Sequence, residues 1–180
     1  MALILAISAL YGGDRSSQDM GQPYDDIKEL GSSLDPKHPI ESVSVSWGNV
    51  IDGISITYRR KDNTTFKKEH GSQTGPGRKI DTITLEQVSG VQGESLDHSD
   101  WGCQVTRLSF TIFDSTTGLT RSVGMLGAGK QLDQESRQDI LVRGLLAGLK
   151  GISNDKAPLV GLNSVQFYTI SPVQEGVAVN

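Results

Sequence analysis

Polar and apolar positions alternate over several short stretches of this chain. Ile40 to Trp47 reads IESVSVSW, with Ile40, Val43 and Val45 set apart by serines. Ile51 to Tyr58 repeats the alternation through Ile54, Ile56 and Tyr58, and Gly48-Asn49-Val50 lies between the two runs. Period-two alternation broken by a glycine-bearing turn predicts a β-hairpin. Further strands are predicted at Phe66–Glu69, Ile80–Val88, Val105–Phe113, Leu119–Val123, Leu141–Leu146 and Val165–Ile170. Each is rich in β-branched or aromatic residues and bounded by turn formers. Ala2–Leu10 predicts a buried first strand. Helical periodicity is confined to Gln131–Leu146, where Gly144 and Gly148 interrupt it and a strand explains the second half equally well. About ten strands at intervals of roughly eight to twelve residues imply an all-β sandwich, barrel or prism.

Composition narrows the class. At 180 residues the chain is close to one ordinary domain, long enough to bury a core without a staple. Residues 1–171 are expected to form that domain and 172–180 a short tail. A hydrophobic content of 36% with a net charge of -4 argues against disorder. The acidic balance argues against nucleic-acid binding. Cys103 is the single cysteine, so no internal disulfide can form. No apolar run approaches the roughly 20 residues that span a bilayer. The apolar N-terminus lacks the basic flank of a signal peptide, so the expected address is the cytoplasm, or export by an unconventional route. Asn63-Thr64-Thr65 would be a glycosylation sequon if the chain is secreted.

Catalytic motifs are sparse. Gly124 to Lys130 imitates a phosphate-binding loop, but Gln131 stands where a magnesium-coordinating Ser or Thr belongs, and a glycine-bearing β turn is the better reading. Asp97-His98-Ser99-Asp100 could build an acid–base or metal site, yet adjacent residues of a solvated loop rarely converge. A hydrolase using Asp97, His98 and Asp100 is therefore the third-ranked reading. Cys103 is expected to be a buried, inert thiol. His38 has no visible partner. The basic run Arg59–Lys68 reads as a solvated hairpin tip that discourages edge-to-edge association. No catalytic residue, metal or cofactor is expected.

Two stretches share a Gly-x-x-x-Asp pattern, Gly48-Asn49-Val50-Ile51-Asp52 and Gly151-Ile152-Ser153-Asn154-Asp155. A glycine turn followed by a carboxylate can present N–H donors and an acceptor together, the mixture that adjacent sugar hydroxyls need. The order of Tyr11-Gly12-Gly13, Tyr24-Asp25-Asp26, the Ile40–Tyr58 hairpin, His70-Gly71-Ser72, Val88-Ser89-Gly90 and Leu108-Ser109-Phe110-Thr111 resembles the jacalin-related lectins. That resemblance covers nearly the whole chain.

The resemblance implies a β-prism of three antiparallel four-stranded Greek-key sheets. It also implies metal-independent binding of glycans, of the mannose or glucose type over galactose, by loops at one end. Its main site would fall at Gly12, Gly13, Gly151, Ile152, Ser153 and Asp155. The second would fall at Gly48, Asn49, Val50, Asp52, Gly71 and Ser72. This chain departs from the pattern in three places. Asp14–Gln22 is longer than the usual loop, Ser72 replaces a glycine, and Lys156–Val160 is inserted before the last strand, so Asn163 could take the acceptor position from Asp155. In such a prism Val43, Val45, Ile54, Ile56, Leu108, Phe110, Val165 and Phe167 would point inward. Single sugars bind weakly, so a homo-oligomer or several sites per chain is expected. The alternative is a β-prism interaction or defence module whose degenerate sugar site leaves it a protein or membrane partner.

Overall fold

A computed structural model describes residues 3–13, 21–74, 77, 79–80, 86–98, 102–127, 137–155 and 161–172. The alternating runs form antiparallel strands in three sheets. The first joins β1 (Leu3–Ile7), β2 (Tyr11–Gly12), β3 (Gln22–Asp25), β11 (Leu145–Asn154) and β12 (Gly161–Pro172), in the order β1-β12-β11-β3 with β2 also on β12. The second contains β7 (Glu86–His98), β8 (Gly102–Asp114), β9 (Thr120–Leu126) and β10 (Arg137–Arg143), in the order β10-β7-β8-β9. The third is the meander β4 (Ile40–Trp47), β5 (Ile51–Arg59) and β6 (Thr65–Gly71). The expected β-prism is present. Among the described residues its strands divide 5, 4 and 3 among the sheets rather than evenly.

Inward alternation builds the core. Val43, Val45, Ile54, Ile56, Leu108, Phe110, Val165 and Phe167 come from all three sheets, and each is 0% exposed. Burying a side chain of this size stabilises the fold by roughly 1.5–3 kcal/mol.

Several expectations are corrected. The first strand is not buried: β1 is an edge, and Leu5 and Ile7 are 47% and 45% exposed. Leu141–Leu146 is not one strand but the junction of β10 and β11, which separate at Gly144. The Gly144 φ of 115° is a conformation that residues with a Cβ rarely adopt, so glycine sets this corner. Arg137 onward is strand, not helix; residues 131–136 lie outside the described residues, as do 81–85 of the predicted Ile80–Val88 strand. Ile80 itself lies outside any strand, and the described strand begins at Glu86 and runs on to His98, placing Asp97 and His98 in a strand paired with Cys103 and Gly102 rather than in a loop.

One short helix was not foreseen. α1 (Asp26–Leu30) starts at Asp25, whose side chain accepts from the Lys28 N–H at 3.0 Å. That bond satisfies a donor the first turn leaves open. Among the described residues no helix is long and apolar enough to cross a membrane.

Candidate functional site

The β4–β5 hairpin and the end of β6 form one unit. Gly48, Asn49 and Val50 make the bend, closed by the Gly48 N–H donating to the Val50 carbonyl at 2.9 Å, and Asn49 is exposed. Asp52 follows on β5. The Ser72 N–H donates to the Asp52 carbonyl at 2.8 Å, so the two motifs, separate in sequence, lie side by side. Gly71 has a φ of 71°, and a Cβ there would collide with the same Asp52 carbonyl oxygen. Glycine is therefore required for this closure. Ser72 Oγ lies 3.0 Å from Thr74 Oγ1. Burial pushes the Asp52 carboxyl above its ordinary pKa. Its Oδ2 and the Trp47 Nε1 are shielded yet have no hydrogen-bond partner among the described residues.

The other predicted set does not stay together. Gly12 pairs with Ser164 on β12, and the Gly13 N–H donates to the Asn163 carbonyl at 3.2 Å. Gly151, Ile152 and Ser153 are strand residues of β11, not a loop, facing Val165, Ser164 and Leu162. Asp155 is exposed just beyond the end of that strand, and residues 156–160 lie outside the described residues, as do 14–20. Asn163 is 0% exposed: its amide donates to the Cys103 carbonyl at 3.4 Å and its Oδ1 has no partner among the described residues. As described it is an interior residue, not a surface acceptor. The two sets nonetheless share one end of the prism, because a Cβ at Gly161, where β12 begins, would stand 2.9 Å from the Ile51 carbonyl of the hairpin.

Gly13, Gly151 and Ile152 border a cavity of about 700 Å³ between α1 and strands β3, β11 and β12. Sequence reasoning missed its other polar lining, Tyr24, Asp25, Lys28, Lys150, Ser164 and Gln166. The Tyr24-Asp25-Asp26 segment was the available signal. Behind the cavity Tyr24 stacks on His70 with ring centroids 3.7 Å apart. His70 Nε2 lies 2.9 Å from Asp26 Oδ1, and the Tyr58 hydroxyl donates to Asp26 Oδ2 at 2.5 Å. Desolvation and then the Asp26 charge hold both tyrosine hydroxyls far above their ordinary pKa, so they remain donors. His70 thus belongs to the interior, and Gly71 and Ser72 alone carry its motif to the surface.

The structure describes the remaining candidates only in part. His38 has a partner after all, with Gln87 Nε2 3.3 Å from its Nδ1. Cys103 is partly exposed rather than buried. Gly124 is a strand residue at a register irregularity, not a turn, and residues 128–130 and Asp100 lie outside the described residues. Among the described residues no group of three or more His, Cys, Asp or Glu side chains could hold a metal ion.

A jacalin-like lectin domain model matches residues 10–157, most of the chain. The chain belongs to the jacalin-like lectin family. No curated protein matches this lectin at the level of sequence. Solved structures share its fold. Malaysian banana lectin superposes with a TM-score of 0.64 at 21% identity, over 93% of this chain and 98% of that one. A mannose-binding jacalin-related lectin from Ananas comosus gives 0.64 at 17% identity, with the same coverages of 93% and 98%. Artocarpin, solved with a mannopentose, gives 0.61 at 21% identity, over 93% and 97%.

Proposed function

We propose that this jacalin-like lectin binds mannose- or glucose-type glycans, without metal and without catalysis, through Gly48, Asn49, Val50, Asp52, Gly71 and Ser72. One observation carries the reading: the Ser72–Asp52 bond of 2.8 Å places the glycine loop against the Gly-x-x-x-Asp hairpin, whose Asp52 Oδ2 has no protein donor among the described residues. A carboxylate with free lone pairs accepts from two vicinal hydroxyls, while main-chain N–H groups of the bend donate to their oxygens. Two of the solved relatives are a mannose-binding lectin and a lectin in complex with a mannopentose, which supports the same ligand class here.

Gly12 and Gly13, whose turn pairs with Ser164 and Asn163 at the same end, make a lesser candidate. A homo-oligomer would supply the multivalency that weak single sites need. The half-exposed Leu5 and Ile7 on the β1 edge are the surface suited to it.

A glycan array at neutral pH, run with and without chelator, tests the proposal. Mannose- or glucose-type glycans should be retained in both runs, and loss on chelation or no bound glycan would refute it. The rival reading, an interaction module with a degenerate sugar site, draws on the burial of Asn163 and the strand setting of Gly151. It predicts activity retained in Asp52→Ala, Asp155→Ala and the double variant.

A further inference from the structure

We infer that the cavity between α1 and strands β3, β11 and β12 receives the carboxylate of an acidic saccharide. Its acidic side chains are already engaged. Asp25 accepts from the Lys28 N–H at 3.0 Å and from the Tyr168 hydroxyl at 3.2 Å, and Glu29 is paired with Lys68. Gln166 directs its amide to the Ser8 carbonyl at 3.1 Å. Other donors are unmet or only loosely held. Among the described residues Ser164 Oγ and the Tyr24 hydroxyl have no hydrogen-bond partner, though Ser164 is 0% and Tyr24 9% exposed. The exposed Lys28 ammonium has no ion pair among the described residues, and Lys150 is paired with Asp25 only loosely, at 3.8 Å, beyond hydrogen-bond length.

An unpaired lysine, a second held only loosely and two unmet hydroxyls call for an acceptor-rich, anionic guest, because a buried donor without an acceptor is costly and charge-assisted bonds are the strong ones. Size argues for a sugar carrying the charge rather than a bare ion. About 700 Å³ is the volume of a small-molecule site, and Leu10, Pro23 and Ile152 add an apolar wall for ring C–H groups. Gly13 at its border connects the cavity with the glycine turn. The inference rests on the carbohydrate reading and extends it to a second, charged class of sugar at a site separate from Asp52.

Calorimetric titration of the full chain with trigalacturonate, mannotriose and sodium sulfate decides the matter. Wild type should bind trigalacturonate, more weakly as salt is raised. Lys28→Gln/Lys150→Gln should weaken it by about tenfold or more while leaving mannotriose unchanged. Lys28→Gln alone, on an exposed helical position, should show part of the loss if the double variant folds poorly. Asp52→Asn should do the reverse, weakening mannotriose only. Absence of trigalacturonate binding, or binding indifferent to both lysine variants, overturns the inference. Sulfate binding as tightly as trigalacturonate overturns it too, in favour of a plain anion site. Mannotriose binding alone leaves the hairpin reading intact and sinks this one, whereas failure of both saccharides sinks both.

Discussion

At Asp52 stability and binding pull in opposite directions. Burial raises its pKa, so the folded protein takes up the proton before the unfolded chain does. Its contribution to stability is therefore whole below the unfolded value of about 4 and is lost as pH rises through the raised folded value. Sugar hydroxyls need the ionised form. Mannotriose affinity should thus fall on acidification at a higher pH than an ordinary aspartate would dictate. Asp52→Asn should weaken mannotriose by roughly 10–100-fold at neutral pH, the cost of losing hydrogen bonds to a charged acceptor. It should leave melting unchanged or raise it slightly, and titrations and melts across about pH 4–7 check both signs. Gly71→Ala at the neighbouring position should cost about 1–3 kcal/mol and weaken the sugar with it, since its φ of 71° and the Asp52 carbonyl both exclude a methyl group. Such residues were legible because each motif is local. The cavity was not, because Tyr24, Lys150 and Ser164 meet only when β3 pairs with β11 and β11 with β12.

Elements differ in how openly the chain declares them. β4 has the predicted bounds and β5 is one residue longer, since the irregularities of their pairing, between Ile40 and Ser42 and between Ser46 and Trp47, fall at its ends and leave the alternating centre in one register. β7 broke the rule for a physical reason. Irregularities between Val88 and Gly90 and between Glu94 and Ser95 interrupt its pairing with β8, so inward positions lose their period of two. α1 has five residues, too few for a 3.6-residue period to show, and side chains beyond it hold it in place. Asp26 meets His70 and Tyr58, Glu29 meets Lys68, and Asp25 meets Tyr168. Asp26 is 0% exposed, so Asp26→Ala leaves the imidazole and the Tyr58 hydroxyl without their acceptor. Removing one partner of a buried pair costs about 3–5 kcal/mol, which for a domain of this size lowers Tm by about 6–20 °C. Tyr58→Phe should cost less, about 1.5–3 kcal/mol, because Asp26 keeps His70. A melt of Asp26→Ala close to wild type would mean that α1 is not anchored by this cluster.

At the scale of the molecule, three sheets close around one core but leave an edge. β1 pairs with β12, and Leu5 and Ile7 stay about half exposed there. An uncovered apolar edge strand invites a second chain unless charge or a bulge blocks it, and neither residue carries charge. Leu5→Glu/Ile7→Glu places like charges on that edge, so the proposed assembly should dissociate in sedimentation velocity. The sugar loops at the end of the prism are built from other strands, so affinity for free mannotriose should be unchanged. Avidity for a mannose-coated surface should fall by about 10²–10⁴-fold, the range that simultaneous engagement of linked sites provides. A variant that sediments as wild type removes β1 from the interface. One that dissociates yet keeps full avidity shows instead that two sites on a single chain supply the multivalency.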